Sequence, residues 1–551
     1  MPARRQVPAR LPAWEQGLYW ITEVVTIVYM LYSLYNASEK ARRRNEPIRM
    51  EEGWAILGRP RDAADFEWEF WSLFFWDVLP WLCGHVVLSQ SLNYFTTFEK
   101  IRPLFLTLYA IAAITYLQGF YTVLFMCVHP VALCLVSKLG STKAVWLTTV
   151  LFLTVLNYYE AAVAQWFYRY KAREDFNAWY MCVFVWANIC QRGTAFALEC
   201  VWTQQSVERA RPQSPPGEKE ENNSSPEGEE SKDKKPQQND ISWPVLPEVP
   251  GWLDMFYYMF YFPLFFTGPL IVYNNFHRQA KHQVPCTKAR LKDIVLRLVS
   301  VMFWAVMNGV MLHYIYAHAI NSSSKVLAKQ SRWTVAAIGY ILGQFFMMKY
   351  LVLFGLPAQL SRLDGFEPPA VPACISYIYC YSDMWKSFDR GLYDFMKRYI
   401  FIPTGGSRAG LFRQVAGSVL CFAYVFYWHG AEYYLFLWCV LNFIETSLEQ
   451  MGAWLEKTAI VKRVLYDRLS PAGVRRVRAV MSVPVFLMSV FAIFYFFGGT
   501  ESGLVFLRKL LIRIPWGSLV VFVVLVYCAI QNAMEVERLG MAKLKVQSHQ
   551  D

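Results

Sequence analysis

The chain has 551 residues, of which 55% are hydrophobic and 17% aromatic, while only 17% are charged. Soluble globular domains of this length carry more charge, so the composition excludes an ordinary soluble protein and predicts residence in a membrane. The formal net charge of +12 does not indicate a nucleic-acid partner. The basic residues lie in short loops beside apolar segments, a distribution that favours topology signals and lipid headgroup contacts.

A membrane-spanning helix needs about 20 mainly apolar residues. Stretches of suitable composition lie, in chain order, near 17–35, 72–92, 103–136, 144–159, 176–202, 255–273, 294–317, 335–355, 417–443, 479–497 and 516–531. The stretch at 103–136 is too long for one helix, and Gly119 and Pro130 predict a pair of helices or a re-entrant element there. The sequence therefore predicts an all-α, polytopic membrane protein with about ten transmembrane helices plus re-entrant segments.

The predicted domain organisation is simple. Residues 1–16 are predicted to be an N-terminal tail, 17–540 one membrane domain and 541–551 a C-terminal tail. Glu23 and the lack of a small-residue cleavage site indicate that the first apolar stretch is a retained anchor. Residues 206–240 are rich in Pro, Glu, Lys, Ser and Gln without apolar periodicity, which predicts a disordered polar loop inserted into the membrane domain.

The basic clusters predict the topology of the chain, and the absence of several motifs limits the classes of reaction that it favours. The clusters at 40–49, 169–173, 457–463 and 475–478 predict cytoplasmic loops. The chain has no GxxxxGKS/T loop, no GxGxxG fingerprint and no HExxH helix, so ATP hydrolysis, dinucleotide redox chemistry and zinc proteolysis lack their usual motifs. A transporter is only weakly supported, because nothing marks paired, interrupted helices in matching halves.

His429 lies in the apolar stretch FYWHGAEYY, residues 426–434. An ionisable group in such sequence is costly unless it faces protein or water, so a functional role is the default interpretation. Upstream, residues 379–406 are amphipathic and rich in charge, which favours a helix and loop that line a cavity. Asp389 and Asp394 lie there, and a carboxylate can orient an imidazole that abstracts a proton. These residues alone leave a catalytic and a structural His429 equally open. Buried hydrogen bonds are the favoured interpretation of His85, His129, His313 and His318.

The WHG motif at 428–430 resembles the membrane-bound O-acyltransferase family, whose active site pairs a histidine in an apolar segment with an upstream Asn or Asp. Longer segments resemble the hedgehog acyltransferase branch of that family, which modifies protein amines. They are DFEWEFW (65–71), PLFFTGPLI (263–271), KYLVLFGLPAQLSRLDGFEPPAVP (349–372), MWKSFDRGLYDFMKRYIFIPTGGS (384–407) and FYWHGAEYYLFLWCVLN (426–442). The resemblance covers nearly the whole chain outside 206–240. A similar branch of doubtful activity lacks the histidine, so the presence of His429 favours an active enzyme.

The resemblance implies roles for particular residues. His429 stands at the position of the catalytic histidine, where it is the candidate general base, and Asp389 stands at that of its acidic partner. Trp385, one helical turn before Asp389, would flank the reaction centre, although a core aromatic role is nearly as well supported. Cys374 stands where this branch has a cysteine that ligates haem iron, which implies haem B as a cofactor. The cationic mouth for the head of the acyl donor would be formed by Arg390, Lys397, Arg398 and Arg408, for which basic residues beside a membrane helix are an equally good interpretation.

The resemblance also implies the reaction. Palmitate would move from palmitoyl-CoA to the amino group of the N-terminal cysteine of a secreted hedgehog-type protein, in a central catalytic cavity reaching His429 from both membrane faces. The protein is expected to be a monomer in contact with membrane lipid, with no nucleic acid, in the endoplasmic reticulum or Golgi membrane. The alternatives are acyl transfer to a lipid or glycerol hydroxyl, and an inactive scaffold.

Overall fold

Helices make up almost all of the described chain, which comprises residues 8–94, 101–159, 162–163, 176–210 and 245–547 of this computed structural model. Strands within those ranges are limited to β1 (Met50–Glu51) and β2 (Arg61–Asp62), which pair antiparallel with Met50 opposite Asp62. The predicted all-α class is confirmed.

The helices of the first part of the chain range from long apolar rods to short connecting pieces. They are α1 (Ala13–Arg43), α2 (Phe66–Tyr94), α3 (Arg102–Gln118), α4 (Phe120–Ser137), α5 (Thr142–Tyr158), α6 (Phe176–Ala210), α7 (Trp252–Met259), α8 (Tyr273–Lys281) and α9 (Lys288–Tyr314).

The second part begins with two short helices and contains the segments that position the candidate site. Its helices are α10 (Ala317–Asn321), α11 (Ser324–Lys329), α12 (Arg332–Leu363), α13 (Tyr381–Ser387), α14 (Arg390–Phe395), α15 (Leu411–Trp428), α16 (Tyr433–Leu455), α17 (Ala459–Val461), α18 (Pro471–Leu507) and α19 (Trp516–Gln547). Single wider turns of π-helix follow α14, α17 and α18.

Eight helices in the described ranges are long and apolar enough to cross a membrane, namely α1, α2, α4, α9, α12, α15, α18 with its π-helical extension, and α19. These helices confirm a polytopic membrane protein. Of the eleven predicted stretches, those at 144–159, 176–202 and 255–273 supply none of these eight helices.

The stretch at 255–273 does not form a spanning helix, so this prediction is wrong. It contains the end of α7, a 3₁₀ turn at Phe262–Leu264 and an irregular segment that leads into α8. Proline has no backbone N–H and a fixed φ, so Pro263 and Pro269 prevent one continuous helix. Most of this segment is buried, as irregular backbone at membrane depth must be.

Two other stretches are helix pairs. Residues 103–136 form α3 and α4, which meet at Gly119 with φ +92°, as the sequence predicted. Residues 417–443 form α15 and α16, separated by a turn that begins at His429. The predicted single segment is therefore interrupted at the residue of greatest chemical interest.

Helices extend into both predicted tails and into the predicted polar loop. The first helix begins at Ala13 and the last ends at Gln547, so parts of both predicted tails are helical. Helix α6 extends to Ala210, five residues into the predicted polar loop, and the remainder of that loop lies outside the described residues.

Helix α1 corrects the predicted topology of the basic clusters. Its 31 residues span about 46 Å. At one end, Arg476 Nε donates to Glu15 Oε1 at 2.8 Å. At the other end, Arg42 and Arg59 both pair with Glu39. The clusters at 40–49 and 475–478 therefore lie at opposite ends of the bundle, and the prediction that both are cytoplasmic is wrong.

The histidines outside the candidate site follow the predicted interpretation in part. His85 Nε2 lies 2.8 Å from Asp364 Oδ2, and His313 Nε2 accepts from the backbone N–H of Trp54 at 2.8 Å. The ring nitrogens of His129 are buried and form no hydrogen bond within the described part of the chain, so the prediction is wrong there.

Candidate active site

Asp389 lies at a hinge between two short helices. Its side-chain Oδ1 accepts from the backbone N–H of Leu392 at 2.9 Å, which caps the N-terminus of α14. Gly391 packs so closely on Leu270 that an added Cβ would lie 2.4 Å from the Leu270 carbonyl oxygen. The sequence SFDRG therefore supplies both the cap and the small residue that fix this hinge against the segment 263–271.

His429 lies where α15 ends. Its backbone N–H still donates to Val425 O at 3.0 Å, whereas the next two residues turn away with φ +118° at Gly430 and +55° at Ala431. Glycine adopts such positive φ values at little cost, which is why it ends many helices. The glycine of WHG thus holds His429 at a helix end inside the protein.

The imidazole of His429 is enclosed by aromatic rings. The ring centroids of Trp428, Trp438 and Phe496 lie 4.7, 5.6 and 5.9 Å away, each nearly edge-on. Neither ring nitrogen forms a hydrogen bond to a described residue, although the side chain is only half-buried. Desolvation lowers the pKa of His429 to about 4. The imidazole is therefore neutral at pH 7, with a nitrogen lone pair free to take a proton.

Burial has the opposite effect on the carboxyl group. Desolvation raises the pKa of Asp389 to about 6, although the backbone N–H groups of Leu392 and Gly391 act to lower it. Asp389 is therefore mostly ionised at neutral pH, and becomes protonated under mildly acidic conditions.

Aromatic contacts join the hinge to the histidine. The Trp385 ring lies 5.8 Å from Trp438, which in turn contacts His429. No hydrogen bond joins Asp389 to His429 in the described ranges. This arrangement gives no support to the prediction that the Asp389 carboxylate orients the imidazole.

The sequence prediction missed the residues that orient Trp385. Trp385 Nε1 donates to Asn442 Oδ1 at 3.2 Å, and Tyr381 donates its hydroxyl to the same oxygen. Asn442 is fully buried. A signal was available, because a buried amide within the apolar stretch of α16 must find partners.

Arg390 lines a pocket of about 300 Å³ together with Asp394 and Glu367. Its guanidinium is exposed and lies 3.3 Å from Asp394. Because the pocket holds two carboxylates beside this arginine, the role of Arg390 in a cationic mouth stays a prediction. The pocket lies at one end of α9, where Arg290 Nη2 donates to Phe366 O at 2.9 Å.

Arg398 does not fit the predicted mouth. It is 3% exposed, and its guanidinium forms a paired contact with Glu199, with Nη2 to Oε2 at 2.8 Å. It also lies over the Trp202 ring at 5.6 Å. Because the buried carboxylate of Glu199 takes up donors of this guanidinium, the position of Arg398 does not favour a contact with the acyl donor.

Cys374 is exposed and precedes a 3₁₀ turn at Ile375–Tyr377. Ile375 and Ser376 line a largely apolar cavity of about 770 Å³ between α1, α12, α18 and α19. Cys374 itself is not among the residues that line this cavity, so haem at Cys374 stays a prediction. In the described residues no three His, Cys, Asp or Glu side chains converge as a metal site. Neither this cavity nor the Arg390 pocket is lined by His429 or Asp389, so the predicted continuous passage to His429 stays a prediction.

Comparison with known proteins places this arrangement in a family. A sequence model of the membrane-bound O-acyltransferase family matches residues 131–492. The Protein-cysteine N-palmitoyltransferase HHAT of Mus musculus is 29% identical over 524 residues, which are 94% of this chain and 97% of the mouse protein. The Protein-cysteine N-palmitoyltransferase Rasp of Drosophila melanogaster is 33% identical over 248 residues, which are 45% of this chain and 49% of the fly protein. The Mus musculus HHAT-like protein is 26% identical over 541 residues, which are 97% of this chain and 96% of that protein.

The family match covers more than half of the sequence and includes both Asp389 and His429. The helices long enough to span a membrane agree with it. The chain is a multi-pass membrane protein that belongs to the membrane-bound O-acyltransferase family, and it is an acyltransferase.

Proposed function

We propose that this acyltransferase moves palmitate from palmitoyl-CoA to the amino group of the N-terminal cysteine of a secreted hedgehog-type protein. The observation that carries the proposal is the unpaired, neutral imidazole of His429, held in an aromatic enclosure that extends to the Asp389 hinge through Trp438 and Trp385. The names of the mouse and fly relatives support the choice of a protein amine as acceptor.

His429 is the general base and Asp389 holds the incoming ammonium. A free α-amine has a pKa of about 7.7 to 8.0, so it arrives mostly protonated and must lose a proton before it attacks the thioester. A C–N bond then forms and the C–S bond breaks, with its electron pair on sulfur. The thiolate takes one proton to leave as free CoA, and one further proton is released. General base help of this kind contributes roughly 10² to 10⁴ in rate.

The two substrates enter from opposite ends of the bundle. The CoA head binds at the Arg390 pocket, beside the Lys288 end of α9. The peptide enters from the end that carries the β1–β2 hairpin, where Arg59 lies 4.4 Å from the ring of Tyr314. Helix α9 separates these ends by about 40 Å. The acyl chain lies in the apolar interior, where each buried methylene contributes about 0.8 kcal/mol.

The central test is transfer of labelled palmitate by the purified protein to a hedgehog-type N-terminal peptide. We expect transfer that depends on both His429 and a free amine, so His429→Ala should lower it by roughly 10² to 10⁴ and a peptide blocked at its amine should abolish it. Label found on lipid or glycerol would establish the alternative acceptor class. Label found on neither would leave the scaffold interpretation. Light scattering of the same preparation checks the proposed monomer.

A second proposal concerns haem B at Cys374. When bound, haem would fill the apolar cavity next to the 3₁₀ turn, and the transfer reaction itself needs no electron transfer. An absorption spectrum of the purified protein should show a Soret band that is lost in Cys374→Ala but retained in Cys286→Ala, which removes another exposed thiol. Identical spectra for the two variants would remove Cys374 as the ligand.

Location is the third part of the proposal. The acceptor is a secreted protein, so the endoplasmic reticulum or Golgi membrane gives access to it and to cytosolic palmitoyl-CoA. Fractionation with organelle markers tests this assignment.

A further inference from the structure

A buried charged cluster lies beside the candidate site and is formed by the segment DFEWEFW. Lys349, in the middle of α12, is 3% exposed. Its Nζ lies 2.9 Å from Asp65 Oδ2 and 2.8 Å from Glu67 Oε2. A buried ammonium must be paired, but one carboxylate would be enough to neutralise it. With His318 neutral, whose Nε2 lies 3.6 Å from Asp65 Oδ2, the cluster of Asp65, Glu67 and Lys349 carries one negative charge more than its cation neutralises.

Tyr350 connects this cluster to the hinge at Asp389. Its hydroxyl donates to Glu67 Oε1 at 2.8 Å. Its ring lies 6.1 Å from that of Phe388, the residue before Asp389. A hydroxyl has one proton and two lone pairs. Because Glu67 takes the proton, only the lone pairs of Tyr350 can face a substrate.

The position of the cluster suits the acceptor better than the donor. Asp62 in β2 lies at the hairpin end of the bundle, where it accepts from the backbone N–H of Ala319 at 2.9 Å. Residues 62–68 lead from there towards Tyr350. The Arg390 pocket lies at the opposite end of α9. Phosphates of the donor would be repelled by surplus carboxylates, whereas an ammonium group would be attracted.

We propose that Tyr350 and Asp389 together bind the positively charged amino terminus of the acceptor, with Glu67 and Lys349 as positioning residues that keep the Tyr350 lone pairs directed at it. Tyr350 and Asp389 select an amine over a hydroxyl acceptor, because a neutral hydroxyl group is attracted only weakly by a carboxylate and by the negative charge around it. This inference rests on the proposed function and assigns its acceptor specificity to particular residues.

The test compares the binding of two peptides to the purified full-length protein. They share one hedgehog-type sequence and differ only in the first residue, which carries an α-amine in one and an α-hydroxyl in the other. Dissociation constants are measured by fluorescence anisotropy for the wild type, Tyr350→Phe and Glu67→Gln. Tyr340→Phe is the matched control, because Tyr340 also lies in α12 and its hydroxyl contacts Ser376 at 3.3 Å, away from the cluster.

We expect the wild type and the Tyr340→Phe control to prefer the amine peptide by roughly ten- to a hundredfold, the range for a hydrogen bond to a charged group. In Tyr350→Phe the preference should fall by about tenfold, with unchanged affinity for the hydroxyl peptide and for palmitoyl-CoA. Glu67→Gln should lie between the two, because glutamine still accepts the tyrosine proton but removes a charge.

A preference that is unchanged in Tyr350→Phe overturns the inference, and so does an equal loss of affinity for both peptides, which indicates a packing defect. Palmitate transfer to the amine peptide is measured with the same wild-type preparation. If the wild type transfers palmitate and either of these results is found, the role of Tyr350 is rejected but the proposed function is not. Absence of wild-type transfer rejects the proposed function, and the inference with it.

Discussion

Arg398 and Lys349 are both buried basic side chains, each 3% exposed, but their surroundings differ. Arg398 faces one carboxylate, Glu199, which also accepts from the Tyr399 hydroxyl at 3.0 Å. Lys349 faces two carboxylates, and one of them accepts the hydroxyl proton of Tyr350, whose ring contacts the residue before Asp389. Among the described residues, Arg398 and Glu199 form a neutral pair, whereas the two carboxylates around Lys349 outnumber its ammonium and one of them is bonded to Tyr350. The comparison teaches that burial of a charge does not mark a functional site by itself. Incomplete neutralisation next to reactive groups is the more informative sign.

The largest effect should come from the reacting group itself. Replacing His429 by Ala removes the general base, and we expect transfer to fall by roughly 10² to 10⁴ while palmitoyl-CoA binding is unchanged. Initial rates with labelled palmitoyl-CoA measure the first quantity and equilibrium binding the second. Unchanged transfer would mean that His429 has a structural role. The assignment of the region around Asp389 and Lys349 as the functional one would then lose its main support.

Replacing Arg398 should lower the stability of the protein and leave its activity intact, which is the opposite of the result expected for His429. Arg398→Met leaves Glu199 buried without its cation, and such a loss costs about 3 to 5 kcal/mol of stability. We expect a large drop in thermal unfolding temperature, with normal transfer per folded molecule. The double variant Arg398→Met, Glu199→Gln should recover much of the stability, because no charge is then left unpaired. A stable single variant that no longer binds palmitoyl-CoA would restore Arg398 to the donor site.

The pH dependence sharpens the assignment of Asp389. Its pKa is raised to about 6, so the carboxylate is present above that pH and is lost as the pH falls through it. We expect kcat/KM for the amine peptide to be level near neutrality and to fall by about tenfold per unit below pH 6. His429, with a pKa of about 4, adds a further decline only at lower pH.

The control for this profile is Asp389→Asn, which should be slower but nearly level from pH 5 to 7. An acid limb of the same midpoint in the variant would show that another group titrates.

The smallest effect concerns the turn that holds His429. A side chain at the φ of +118° observed for Gly430 is strained by about 1 to 3 kcal/mol, so Gly430→Ala should lower stability and displace the imidazole, with a moderate loss of kcat. Gly452→Ala is the control, because Gly452 is helical and an added Cβ there meets nothing within 4 Å. It should be neutral or slightly stabilising in thermal unfolding. Equal behaviour of the two variants would mean that the turn tolerates a side chain.

Much of the candidate site could be named from the sequence, because short motifs record it. In WHG, Gly430 follows His429 and ends its helix. In SFDRG, Asp389 is itself the helix cap and Gly391 follows two residues later. Both reactive residues can therefore be identified without a structure. Trp385 was named for the same reason. Asn442, Trp438 and Tyr350 were missed, because their importance lies in contacts between distant segments. The hydrogen bond from Tyr350 to Glu67 joins residues separated by 283 positions.

The membrane class, the helical architecture and the family could all be predicted from the sequence. Each depends on composition or motifs within windows of about 20 residues, the length over which a chain must be apolar to cross a bilayer. Only the tertiary structure decided that 255–273 is irregular, that Arg390 is exposed while Arg398 is buried, and that Lys349 has two carboxylate partners. Hydrophobic length is a local property of the chain. The neutralisation of a charge depends on which distant side chains the packed helices bring within hydrogen-bond distance.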